Sequence, residues 1–229
     1  MNPFKSFLVG AGLLGIALLS FRSSPKEKFE KLFNGKDFTG WYSFIDGYGK
    51  DSDPLRVFQV EPGGIIHASG EKFGYLCTNT AYKNFHVKLE FKWGERKWEP
   101  RLNQKRDGGL LYLVPIDSID KIWPCGIECQ IQEGDTGDFW MTHNSSIVFD
   151  GQRTNKGDYV RATKKKDAEK PNGEWNLVEV IVENGHCQHI VNGVMVNEGF
   201  EASLGSGKLL IQSEGAEIYY RDIQLKKLD

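Results

Sequence analysis

The chain has 229 residues, with 29 Lys and Arg against 31 Asp and Glu for a formal charge of −2, and 39% of its residues are hydrophobic. Acids and bases are interspersed, so there is no basic footprint and nucleic acid is not an expected partner; Lys164, Lys165 and Lys166, the one dense basic run, read as a solvated loop. No Gly-rich phosphate loop or dinucleotide fingerprint occurs, which argues against bound NAD, and no Cys-x-x-Cys occurs, so no cofactor and no metal are expected.

Residues 1–24 carry Lys5, an apolar run over 7–19, and then Ser20, Arg22, Ser23 and Ser24. This reads as a secretory signal, cleaved or retained as an N-terminal anchor, and the expected location is periplasmic or extracellular. Residues 25–229 lack a Pro/Ser-rich linker and read as one domain. Asn34-Gly35 supplies a turn, and short strands are expected over 56–60, 64–68 and 75–78, separated by Pro62-Gly63 and by residues 70–74. Residues 84–93 alternate, with Phe85, Val87, Leu89, Phe91 and Trp93 facing inward. A charged excursion over 94–107 follows, long enough to reach over something. After Gly108-Gly109 comes the apolar run 110–114.

The stretch 127–132 then sends Ile127, Cys129 and Ile131 into a core and Glu128, Gln130 and Gln132 to the opposite face. Residues two apart on a strand stand roughly 7 Å apart, so these three form a polar row able to read several hydroxyl groups, or simply a wet outer face. Gly134, Asp135, Gly137 and Asp138 break the strand, and Trp140 falls at the rim of the row, placed either to stack on a sugar or to pack. Asp138 is a candidate binding residue; together with Asp135 it falls short of a complete calcium loop. His143 has the near-neutral side chain suited to proton transfer. The segments 94–107 and 134–144 are expected to border one cleft.

Strands over 174–183, 186–191 and 194–196 are joined by Asn184-Gly185 and Asn192-Gly193, and two more, 208–213 and 217–226, close the chain. No helical period persists, and the expected architecture is all-β, a two-sheet antiparallel β-sandwich. Cys77, Cys125, Cys129 and Cys187 read as buried free thiols, with a Cys77–Cys187 bridge as the alternative; Cys125 and Cys129 are about 13 Å apart on an extended strand and cannot pair.

The segments KLFNGKDFTGW (31–41), 84–93 leading into 108–114, GIECQIQ (126–132), GEWN (173–176), VNGV (191–194) and LIQSEGAEIYYRDIQL (210–225) occur in an order that resembles the 3-keto-disaccharide hydrolase domain family. The resemblance implies a concanavalin A-like jelly roll with a sugar-facing sheet, and an enzyme that cleaves glycosides already oxidised to a ketone at C3 by a separate sugar 3-dehydrogenase. Glu214 and Gln212 match its LIQSEG pattern. An ordinary glycosidase needs two carboxyls flanking the bond, and the strand with Glu128, Gln130 and Gln132 offers one; Glu133 has the wrong parity. A 3-keto sugar instead needs a base for the acidified C2 proton, an enolate stabiliser and an acid. Glu128 is the first candidate, as base or substrate-orienting group. His143 and Glu214 are further candidates, and Arg221 is the candidate oxyanion stabiliser, unless it pairs with Glu217. Gln130, Gln132, Asp138, Trp140 and Gln212 are the candidate sugar contacts. A non-catalytic carbohydrate-binding module and a conventional glycoside hydrolase are the alternatives.

Overall fold

The computed structural model describes residue 1, residues 28–118 and residues 120–229. The expected export segment, Met1 apart, lies outside the described residues. In chain order the first strands are β1 (Glu30–Lys31), β2 (Trp41–Ile45), β3 (Gly49–Lys50), β4 (Phe58–Glu61), β5 (Ile65–Ala68) and β6 (Gly74–Thr78). The middle of the chain gives β7 (Phe85–Lys97), β8 (Asp107–Val114), β9 (Gly126–Gln132), β10 (Phe139–Thr142), β11 (Val148–Phe149) and β12 (Gln152–Arg153). The last six are β13 (Tyr159–Ala162), β14 (Asn176–Glu183), β15 (His186–Val191), β16 (Val194–Gly199), β17 (Lys208–Ser213) and β18 (Ala216–Lys227). There is no helix among the described residues.

Two antiparallel sheets carry the fold. The first runs β16-β15-β14-β7-β18-β5-β4 with β1 beside β18, and the second runs β13-β10-β9-β8-β17-β6-β2-β3. Alternation decides what lies between them. Phe85, Val87, Leu89 and Phe91 of β7 face Ile127, Cys129 and Ile131 of β9 across a single hydrophobic core in which all seven are fully buried. Truncating Phe91 to Ala would cost about 3–5 kcal/mol. The turns at Asn184-Gly185 and Asn192-Gly193 have positive φ at both central residues, the geometry whose twist suits a two-residue hairpin, and they set β14, β15 and β16 side by side.

Several boundaries differ from those expected. β7 runs on to Lys97 because β18 continues to pair with it as far as Ala216, and β8 begins at Asp107, so the excursion between them spans only residues 98–106. Trp41–Ile45 and Phe139–Thr142 are strands without an alternation long enough to announce them; partners on each side hold them, β3 and β6 for the first, β9 and β13 for the second. All four cysteines are free. A Cys77–Cys187 bridge does not form: Cys187 sits in the core between the sheets, whereas Cys77 belongs to an apolar cluster on the outer face of the second sheet, with Tyr42, Tyr75 and Leu210.

Candidate active site

The outer face of the second sheet is divided. At the β2–β6 end, Tyr42, Tyr75, Cys77, Leu111, Val114 and Leu210 make the apolar cluster, with Phe44 packed against it. The segment after β8 is pinned there by Asp120, whose carboxylate accepts hydrogen bonds from Tyr42 Oη (2.8 Å) and Tyr75 Oη (3.1 Å) and lies 3.3 Å from Lys50 Nζ. Beyond this covered half the same face opens into a cavity of about 500 Å³, within the usual range for small-molecule sites.

Register decides what reaches the cavity. Across β8 and β9, Asp107 is opposite Gln132, Gly109 opposite Gln130 and Leu111 opposite Glu128; the tight return after β9 then sets Trp140 of β10 opposite Glu128 on its other side. β17 adds Gln212, and Glu214 follows it. The expected row of Glu128, Gln130 and Gln132 thus lines the cavity together with Trp140, Gln212 and Glu214. The two segments expected to border one cleft do so: Arg101 and Asp107 come from the first, Trp140 and Thr142 from the second, and Lys105 Nζ reaches Asp135 at 2.6 Å across their outer edge.

The floor is a cluster of three carboxyls and one guanidinium. Arg101 Nη2 donates to both Asp107 and Glu214, and its Nη1 donates to Gln104 Oε1 at 3.2 Å. Asp107 also accepts from Gln132 Nε2 at 2.6 Å and from the Gly108 N–H at 3.1 Å. Burial raises the Asp107 pKa, against the opposing effect of Arg101 and Gln132. Burial and then the Asp107 charge raise that of Glu214, with Arg101 again opposing. Glu128 is 8% exposed and makes no ion pair among the described residues. Burial, and after it the charges of Glu214 and Asp107, push its pKa well above the ordinary 4.5. One positive charge cannot compensate three buried carboxylates, so protons stay in the cluster at neutral pH.

Three expected residues lie elsewhere. His143 stands behind the wall: its Nε2 meets the Trp123 carbonyl oxygen at 2.8 Å and its ring packs against Tyr159, so it supports two aromatic residues that line the cavity without lining it itself. Asp138 is fully buried and accepts from Arg161 Nε (2.6 Å) and from the Lys164 N–H (2.7 Å); Arg161 in turn lies opposite Trp140 in the sheet, 6.0 Å from its ring. Arg221 belongs to the other sheet, where its Nε donates to Glu90 at 2.6 Å and its guanidinium covers Trp175 at 3.9 Å. It pairs with Glu90 rather than Glu217, because across β7 and β18 Glu90 is its direct partner.

Arg101, Asp107, Trp123 and Tyr159 were not expected at the site. Asp107 shares parity with Gly109 and Leu111, so carrying the alternation of β8 one step back would have found it. Arg101 and Trp123 lie on irregular segments, where no period exists to read.

The β-sandwich with a polar, aromatic-walled cavity on one sheet, taken with the family and relatives below, makes this a carbohydrate-active protein. The chain belongs to the 3-keto-alpha-glucoside-1,2-lyase-like domain family, which matches residues 28–226. It is 26% identical over 183 residues to the 3-keto-disaccharide hydrolase of Bacteroides thetaiotaomicron; the match covers 73% of this chain and 57% of that protein. Among solved structures it resembles an inferred glycosyl hydrolase from Parabacteroides distasonis, with a TM-score of 0.63 and 25% identity over 88% of this chain and 94% of that one. It also shares its fold with carbohydrate-binding module CBM66 of Bacillus subtilis, at a TM-score of 0.57 and 8% identity over 82% and 96% of the two chains.

Proposed function

We propose that the protein is an exported enzyme that cleaves 3-keto-glycosides by elimination followed by hydration. The observation that carries this reading is the cluster of Glu128, Asp107 and Glu214 around a single guanidinium, a group of carboxyls that holds proton donors and proton acceptors side by side at neutral pH. The family and the relative named above support the substrate class. The ketone at C3 makes the C2 hydrogen acidic. A carboxylate takes that proton, and the C–H electron pair forms the C2=C3 enolate with charge on the C3 oxygen. Re-formation of the C3 carbonyl then creates the C1=C2 double bond and expels the C1 substituent, whose oxygen takes a proton from a carboxylic acid. Water adds back across the double bond, OH to C1 and H to C2, and both carboxyls return to their starting states.

Gln130 and Gln132 offer amides to sugar hydroxyls, and Trp140, Trp123 and Tyr159 offer ring faces. In this reading a separate sugar 3-dehydrogenase supplies the ketone, the partner that the family's substrate class implies. Incubation with a 3-keto-glucoside and with its unoxidised parent tests the reading. Release of the aglycone from the ketone alone is expected. Release from the parent would make the protein a conventional glycosidase, and binding without release would make it a carbohydrate-binding module.

A further inference from the structure

We infer that Glu128 is the proton donor to the leaving oxygen, with its proton held toward the Gln212 amide oxygen before reaction, and that the Arg101-bound pair of Asp107 and Glu214 is the base. This rests on the proposed function and assigns the roles within it.

Two acceptors that meet without a donor repel, and the cavity floor contains such a meeting. Gln212 Oε1 is buried and has no hydrogen-bond partner. It shares the space above Gly109 with Glu128 Oε1, a space that exists because residue 109 has no side chain: a β-carbon there would collide with both groups. Among the described residues no cation pairs with Glu128, and although the Gln212 side chain by itself pulls its pKa down, burial and the charges of Glu214 and Asp107 outweigh that. A proton on Glu128, donated to Gln212 Oε1, satisfies the orphaned acceptor and removes the uncompensated charge in one step; an ionised Glu128 does neither. The other charged or titratable groups near it agree. Glu214 and Asp107 are acids, Arg101 is engaged by both of them, and the Tyr220 hydroxyl is committed to the Gln212 backbone oxygen at 2.8 Å. Burial raises the pKa of the cavity-lining Tyr159, leaving it a neutral neighbour.

The pair on Arg101 differs in its partners, although burial raises both of its pKa values too. Asp107 and Glu214 share one guanidinium nitrogen, and Asp107 has two further donors in Gln132 and Gly108, so the pair has the means to carry a negative charge. Glu214 is the member more open to the cavity, with 14% of its side chain exposed against 5% for Asp107. In the reaction the pair gains the C2 proton while Glu128 gives its own to the leaving oxygen. On hydration Glu128 takes a proton from the incoming water, and the pair returns its proton to C2.

A donor to the leaving group and a base at C2 respond differently to the leaving group, which gives the test. Glu128→Gln should lower turnover of methyl 3-keto-glucoside by about 10²–10⁴-fold, lose far less on 4-nitrophenyl 3-keto-glucoside, whose leaving group needs no proton, and still exchange the C2 hydrogen with deuterated solvent. Glu214→Gln should abolish that exchange with both substrates. Loss of C2 exchange in Glu128→Gln, equal for the two aglycones, would overturn the assignment by making Glu128 the base. A measurement on the unmutated protein stands beside this. Its infrared spectrum at pH 7 should contain a carboxylic acid C=O band that disappears in Glu128→Gln and moves, without vanishing, in Gln212→Leu. Absence of that band would overturn the inference whatever the variants do. If the unmutated protein releases nothing from either ketone, the proposed function and the roles assigned here fall together; the band would then report only where a proton sits.

Discussion

Glu128 and Glu217 are equally buried, at 8% and 9% exposure, and stand on outer faces of opposite sheets, yet their surroundings drive them in opposite directions. Glu217 accepts the N–H groups of Glu95 (2.9 Å) and Arg96 (3.1 Å) on one oxygen, and His67 Nε2 lies 3.0 Å from the other. Burial raises its pKa, but the Arg96 N–H, His67 and the Glu95 N–H together outweigh it, and the net shift is downward. Glu128 is shifted far upward, by burial first and then by the charges of Glu214 and Asp107, with only the Gln212 side chain opposing. Burial alone therefore does not mark a reactive carboxyl. Glu217 also borders a hollow of about 390 Å³, with Lys92 and Tyr219, so a nearby cavity does not mark one either. What differs is whether hydrogen-bond donors and cations offset the burial, as they do at Glu217, or further acids add to it, as they do at Glu128.

The sharpest way to break this comparison is to replace each with its amide. Glu128→Gln removes a proton donor, and turnover of an alkyl 3-keto-glucoside should fall by about 10²–10⁴-fold. Its thermal midpoint should move by less than about 2 °C, because the new NH₂ can make the hydrogen bond to Gln212 that the acid proton makes. Glu217→Gln should do the reverse. Its NH₂ must face either the two backbone donors or His67 and the Tyr219 hydroxyl, so stability should fall by about 1–3 kcal/mol in denaturant titrations while kcat is retained. A full loss of activity in Glu217→Gln would remove the distinction.

The pH dependence of stability sharpens the contrast. The pKa of Glu128 is raised on folding, so the folded chain holds its proton where the unfolded chain has released it. Its contribution is complete below the unfolded value near 4.5 and is lost as pH rises through the higher folded value. Glu217 is lowered, so its contribution is present above that same value and is lost as pH falls through the folded value. Thermal midpoints measured from pH 4 to 9 should therefore decline less steeply on the alkaline side in Glu128→Gln than in the unmutated protein, and less steeply on the acid side in Glu217→Gln. The smallest effect belongs to the wall. Trp140→Ala should raise KM about 2- to 10-fold, the equivalent of about 0.5–1.5 kcal/mol of aromatic contact, with kcat little changed.

Much of the site was legible because a strand has a period of two. Alternation in β9 put Glu128, Gln130 and Gln132 on one face whatever the strand paired with, and β17 did the same for Gln212. The all-β class followed from the same periodicity and from the two Asn-Gly turns. Parity, however, names a face of a strand and not the layer to which the strand belongs. β17 and β18 adjoin in sequence, but the chain crosses from one sheet to the other at Glu214-Gly215. The outward side of β17 thus meets the cavity, whereas that of β18 carries Glu217, Tyr219 and Arg221 to the far side of the molecule. Arg101 reached the site by a different route: it lies on a segment with no period, and its role comes from two acids brought together from β8 and from the end of β17. Local sequence fixes which way a side chain points from its own strand; which strands stack, and which charges then face one another, depends on long-range pairing that no short window contains.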